Sequence, residues 1–202
     1  LTNLVSFKTA IEDTINQINS KIPSYKNAVA NREVAIEKLG KTSTKILNFS
    51  KSLNISTTDK ENILSQVKKI RGHAKIKAVN PETSEASGFS TSQMSYDQRT
   101  NNYDLLISQL QNTPNYNPNE TEFQIATLQT EKAQMLQATQ SVANTFVPLN
   151  NARSIRNNSM YLSEDNLVDT FNKAKDYLFT ILDSNSVQYK AIAKIKFKKV
   201  GQ

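Results

Sequence analysis

The chain has 202 residues, enough for one large domain or two small ones, and a body of this size hides roughly 70% of its unfolded surface. Hydrophobic residues make up 37%, below the about 45–50% usual in globular domains, and four glycines, five prolines and no tryptophan favour long thin helices over a β architecture. With 25 Lys and Arg against 18 Asp and Glu the formal charge is +7, while the lack of cysteine excludes disulfides, thiolate catalysis and cysteine-ligated metal.

In chain order, Leu4, Phe7, Ile11, Ile15, Ile18 and Ile22 step by threes and fours, the spacing of one helical stripe, and Pro23 is expected to stop it. Val29, Ile36, Leu39, Ile46 and Leu53 form a second, thinner stripe shared with polar Arg32, Ser43 and Ser50. Thr58 with Glu61 suggests a capping box for a third helix carrying Ile63, Leu64, Val67 and Ile70, closed by Gly72. Ser95 with Gln98 can cap a fourth helix bearing Tyr103, Leu106, Ile107 and Leu110, which "NTPNYNPN" ends. Asn117, Pro118 and Glu120 read as the start of a fifth helix, striped by Ile125, Leu128, Met135, Val142 and Phe146 until Pro148 breaks or kinks it. Ser163 and the acids after it open a sixth, with Leu167, Phe171, Ala174, Leu178 and Ile181 on one face.

Three landmarks recur in the same order. "LNFSKSL" at 47–53 resembles "LNNARSI" at 149–155, then Ile63, Leu64 and Val67 match Leu167, Val168 and Phe171, then both halves end in Ala-Lys-Ile-Lys, at 74–77 and 193–196. An internal duplication follows: unit one over 1–79, a Ser/Thr-rich linker over 80–94 and unit two over 95–202. In "AIAKIKFKKV" the apolar Ile195 and Phe197 alternate with lysines, a period of two that suits a half-buried strand; a frayed helix end fits equally. The expected fold is all-α: an elongated bundle of about six helices from two quasi-repeated three-helix units packing as two bodies or one, with a small β-ribbon if the two Ala-Lys-Ile-Lys segments pair.

Chemistry is sparse. "GKTS" at 40–43 lacks the glycine that a phosphate-binding loop needs five residues before Gly40, where Ala35 stands, and it is expected inside a helix. "SQVK" at 65–68 lacks the companion motifs of acyl enzymes. His73 is the only histidine, so neither a histidine metal site nor a Ser-His pair with a third member emerges. The paired acids Glu120/Glu122 and Glu164/Asp165 are explained by helix starts, and no calcium-loop spacing occurs. No catalytic residue, cofactor or metal is expected, and the chain is read as a non-enzyme.

One constellation stands out: Lys68, Lys69, Arg71, Lys75 and Lys77 at the end of unit one, and Lys190, Lys194, Lys196, Lys198 and Lys199 at the end of unit two. Brought together they would hold a polyanion; apart, they are solvated lysines guarding strand edges. No apolar run reaches the length of a membrane span. The first residue is Leu rather than Met, which leaves room for a removed upstream segment, and the compartment stays open.

"SQMSYDQRTNNYDLL", "YNPNETEFQIATLQ", "PLNNARSIRNN" and "SVQYKAIAKIKFKK" resemble segments of an uncharacterised group of helical proteins from Bacteroidetes bacteria, mainly over residues 92–199. The resemblance implies a bacterial helical protein and carries over no activity or site. The leading expectation is a structural or protein-interaction bundle that assembles with itself or with another protein. The alternative is a nucleic-acid or polyanion-binding protein using the lysine-rich ends.

Overall fold

The computed structural model describes residues 2–72 and 94–199. Every regular element among them is helical: α1 (Thr2–Glu37), α2 (Leu39–Ser52), α3 (Thr57–Arg71), α4 (Tyr96–Gln111), a 3-10 turn (Thr121–Phe123), α5 (Ile125–Asn157), a π turn (Asn158–Leu162), α6 (Leu167–Ile181) and α7 (Val187–Lys194). The all-α class is therefore as expected.

Two expected stops are crossed. Pro23 lies inside α1 and Pro148 inside α5. An interior proline removes one backbone bond and crowds the carbonyl four residues back, a cost of about 3 kcal/mol. Both rings face solvent, where water can take up the freed carbonyl. On the opposite side Ile18, Leu149 and Ala152 form a small buried cluster with Ile22 and Tyr25 packed on it, and Tyr25 meets Phe146 at 5.8 Å between ring centroids. Packing beside each proline offsets the lost bond, so α1 ends only at Glu37.

Helix starts follow local capping chemistry, at positions partly different from those expected. The α3 cap is Ser56, accepting from the Asp59 amide at 3.0 Å, rather than Thr58 with Glu61. Ser95 caps α4 through the Gln98 amide at 3.2 Å, as expected. Asn117–Glu120 stays outside α5; Phe123 and Gln124 donate to Glu120 and Thr121, forming the 3-10 turn first. The cap of α6 is Asn166, which accepts from the Asp169 amide, while Ser163 instead closes the π turn. Ser186 caps α7, a helix that the strand-like alternation concealed.

The chain gathers into two compact units, here called continuous (Lys26–Asn144) and split (Leu1–Tyr25 with Thr145–Gln202). This division falls within α1 and α5 rather than near residues 79 and 95. In the continuous unit, Ile36, Leu39, Ile46, Leu47, Ile63, Val67, Ile70, Tyr103, Leu106, Ile107, Leu110, Phe123, Leu128 and Met135 form one buried cluster. Burying each such side chain contributes about 1.5–3 kcal/mol before entropy is charged. Ser43 and Ser50, 0% and 1% exposed, share the α2 stripe because each hydroxyl donates one turn back, to Leu39 O at 2.7 Å and Ile46 O at 2.9 Å. Polar ties close the rim: Tyr103 Oη donates to Glu131 at 2.7 Å, Lys132 pairs with Asp104 at 2.7 Å, and Tyr116 Oη donates to Phe123 O at 2.9 Å.

The split unit is thinner. Helix α6 buries only Val168 and its cap Asn166, and α7 buries nothing. The second Ala-Lys-Ile-Lys segment is half helix and half extended: Ala193 and Lys194 end α7, and residues 195–199 form a strap with no strand partner among the described residues. The strap docks on α6 in steady register. Lys175 Nζ donates to Ile195 O at 2.6 Å, Phe171 stacks on Phe197 at 4.9 Å, and Lys199 Nζ meets Asp169 at 2.8 Å. Alternating Ile195 and Phe197 with lysines thus suits a strap on a helix as well as it suits a strand. The first such segment, 74–77, lies outside the described residues, as does most of the expected linker.

Candidate functional site

Four helices meet in the continuous unit at an open depression of about 540 Å³ lined by Glu37, Gly40, Lys41, Thr44, Lys45, Arg71 and Arg99. Glu37 ends α1, and Gly40, Lys41, Thr44 and Lys45 follow at spacings of three to four, which keeps them on one face of α2. The other face holds buried Leu39, Ser43 and Ile46, so core packing aims the lining outward. Arg71 is the last residue of α3, just before Gly72 turns the chain in the left-handed conformation at φ 66°. Arg99 stands in the first turn of α4.

The charges are unequal partners. Lys45 is committed to Glu122 at 3.0 Å and lies 5.9 Å from the Phe123 ring centroid. Among the described residues, no hydrogen bond or ion pair engages the side chain of Lys41 or Arg71, and both are exposed. Arg99 is half-buried; its Nη2 reaches Ile36 O only at 3.5 Å, and its Nε is buried with no acceptor among the described residues. Burial lowers the Arg99 pKa, since a desolvated guanidinium loses part of its hydration. A carbon placed on Gly40 would meet no atom within 4 Å, so the α2 backbone is bare on this side. Thr44 spends its proton on Gly40 O at 2.8 Å. Four cations, one of them paired with Glu122, therefore share a concave surface with one lining carboxylate, Glu37, and among the described residues no nucleophile and base are paired there. Among the described residues, no cluster of three metal-ligating side chains occurs.

Of the basic residues singled out by sequence, Arg71 joins this depression. Lys68 is exposed and Lys69 half-buried in the last turn of α3. Lys75, Lys77 and His73 lie outside the described residues. Lys190 and Lys194 are exposed on α7, and Lys196, Lys198 and Lys199 are exposed on the strap, with Lys199 tied to Asp169. The α3 set belongs to the continuous unit and the α7 and strap set to the split unit. Sequence reasoning missed Lys41, Lys45 and Arg99. The available signal was Gly40-Lys41-Thr42-Ser43, which opens α2 instead of lying mid-helix.

The split unit offers a different surface. Val5, Ile15, Phe146, Val147, Ile155, Leu162, Tyr177, Ile181, Val187 and Ile195 are exposed there, against Val34, Met94, Leu105 and Leu136 in the longer continuous unit. Tyr177, Ile181 and Val187 are 66%, 60% and 79% exposed, on helices whose only buried apolar side chain is Val168. Single exposed apolar residues are ordinary, but their concentration on one unit is what an interaction surface requires.

No helix of the described residues is long and apolar enough to cross a membrane. Compared with protein-family models, curated proteins and solved structures, the chain matches none.

Proposed function

We propose that the chain is a non-enzymatic helical interaction protein, with the continuous unit as its self-supporting body and the split unit as its docking module. A second copy of the chain is the occupant, placed split unit against split unit about a two-fold axis, the commonest closed arrangement for identical chains. The single observation that carries this reading is the exposure of Tyr177, Ile181 and Val187 on α6 and α7, helices with almost no core of their own. Light scattering coupled to size-exclusion chromatography should report a particle of at least twice the chain mass. Tyr177→Ser with Ile181→Ser should return it to one chain mass without loss of helix. A single-chain mass for the unmodified protein across a wide concentration range would overturn the reading.

A second reading has its own support: Lys190, Lys194, Lys196 and Lys198 stand exposed on one short stretch, where they could hold a polyanion such as nucleic acid. It requires affinity that falls steeply with salt and is weakened by Lys194→Glu, Lys196→Glu and Lys198→Glu together. The finer readings belong to the same proposal. The duplication is supported by the parallel order of a helix end and a side-chain-capped helix in α2–α3 and α5–α6, although Ile63 and Val67 are buried where Leu167 and Phe171 are half-buried, and α7 stands between α6 and the second Ala-Lys-Ile-Lys segment. Kinship with the helical Bacteroidetes group rests on the four segments quoted above.

A further inference from the structure

We propose that the depression at the meeting of α2, α3 and α4 binds the phosphate or diphosphate group of a small molecule. Lys41, Arg71 and Arg99 come from three different helices, and the packed core beneath α2 holds the first of them in place. Guanidinium and ammonium groups converging without carboxylates of equal number leave a positive field for an oxyanion to fill. Glu37 is the sole carboxylate among the described residues of the lining.

Arg99 provides the independent sign. It is half-buried, and among the described residues the only acceptor its side chain reaches is Ile36 O, 3.5 Å from Nη2, so the guanidinium edge that lines the depression keeps donors for a ligand. Phosphate oxygens are acceptors of the right charge and match the planar fork of arginine. The bare backbone at Gly40 leaves room for close approach. Among the described residues the lining has no aromatic ring and no purely aliphatic side chain, so its specific contacts are to charge. The recognised group is the phosphoryl moiety itself, with its carrier left in solvent at the open mouth. This is not the glycine-rich strand-to-helix loop of nucleotide triphosphatases, since α2 follows directly on α1 through Lys38.

The experiment is a calorimetric titration of the full chain with inorganic phosphate and, separately, inorganic pyrophosphate, with ionic strength held constant by sodium chloride. Saturable binding is expected, tighter for pyrophosphate if the site accepts a diphosphate. Lys41→Gln with Arg71→Gln should weaken it by about ten-fold or more, as befits loss of two charge-assisted contacts. Both residues are exposed, so the fold should survive. Glu37→Gln, also at an exposed position, should tighten binding a few-fold, a change of opposite sign that damage to the fold would not mimic. Lys194→Gln with Lys196→Gln should leave the titration unchanged. Absence of saturable binding, equal binding by the Lys41/Arg71 variant, or weaker binding by Glu37→Gln would overturn the proposal. Apart from the Lys194/Lys196 control, these variants lie outside the split unit, so failure here leaves self-association standing, and the reverse also holds.

Discussion

The continuous and split units are made of the same material, capped amphipathic helices, and differ in what they do with the apolar stripe. In the continuous unit the stripes of α2, α3 and α4 close on one another, and Ile46, Ile63, Ile70, Leu106 and Leu110 are inaccessible. In the split unit α6 carries an equally regular stripe, yet Leu167, Phe171, Ala174 and Leu178 are only half-buried. The caps do not explain the difference, because Asn166 and Ser186 bond their helices as Ser56 and Ser95 do. Local chemistry decides where a helix begins; a tertiary partner decides whether its stripe is hidden. Eight residues of α7 are too few to hold as an isolated helix. Its attachment runs through Phe179 and Tyr189, whose rings lie 4.5 Å apart.

The sharpest way to break this comparison is truncation on each side. Ile46→Ala or Leu106→Ala should cost about 2–5 kcal/mol in urea unfolding, because a fully enclosed side chain leaves a cavity. Ile181→Ser should cost within about 0.5 kcal/mol in the single chain. If Ile181→Ser instead costs as much as Ile46→Ala, its side chain is covered in solution, and a concentration-dependent cost would identify a second copy as the cover.

A smaller effect tests the seam at the end of α3. Gly72 adopts φ 66°, and a carbon placed on it would collide with the Met94 sulfur. Gly72→Ala should therefore lose about 1–2 kcal/mol from the left-handed backbone alone, with a further part from Met94. Met94→Ala in the same chain should restore only the steric part. Full recovery would mean that the backbone conformation carries no penalty there.

Much of the continuous unit was legible because its signals are local. Ser95 with Gln98, the stripe of Tyr103, Leu106, Ile107 and Leu110, and the glycine closing α3 each lie within one helix or at its ends. The prolines misled because their cost is real but small beside the packing of Ile18, Ile22 and Leu149, which no short window contains. Ser43 and Ser50 looked like flaws in a stripe, since the bond of each hydroxyl to the carbonyl one turn back is settled only by the helix itself. The strap looked like a strand because alternation records a half-buried extended chain and not what it lies upon. The depression was illegible for a different reason. Lys41, Arg71 and Arg99 are about thirty residues apart in sequence and meet only when α2, α3 and α4 pack.

The smallest expected effect separates the units by pH. Burial and the hydrogen bond to Glu131 push the Tyr103 phenol well above its ordinary range. Its protonated form is thus favoured in the fold, and this contribution is complete below the unfolded pKa of about 10 and is lost as pH rises beyond it. Asp169 in the split unit runs the other way. Hydrogen bonds from Lys199 and Asn166 hold its carboxyl below its ordinary range, so what it contributes is present above about pH 3.9 and fades as pH falls. Tyr103→Phe should therefore flatten the alkaline fall in urea stability relative to the unmodified chain, with lysine deprotonation common to both. Asp169→Asn should leave that alkaline limb unchanged and act on the strap and on the Asn166 cap of α6, read for the strap as faster amide exchange at Phe197 and Lys199 near neutral pH. Equal alkaline limbs with and without the Tyr103 hydroxyl would remove the phenol from the core's account. Unchanged exchange in Asp169→Asn would leave Phe171 against Phe197 as the contact that holds the strap.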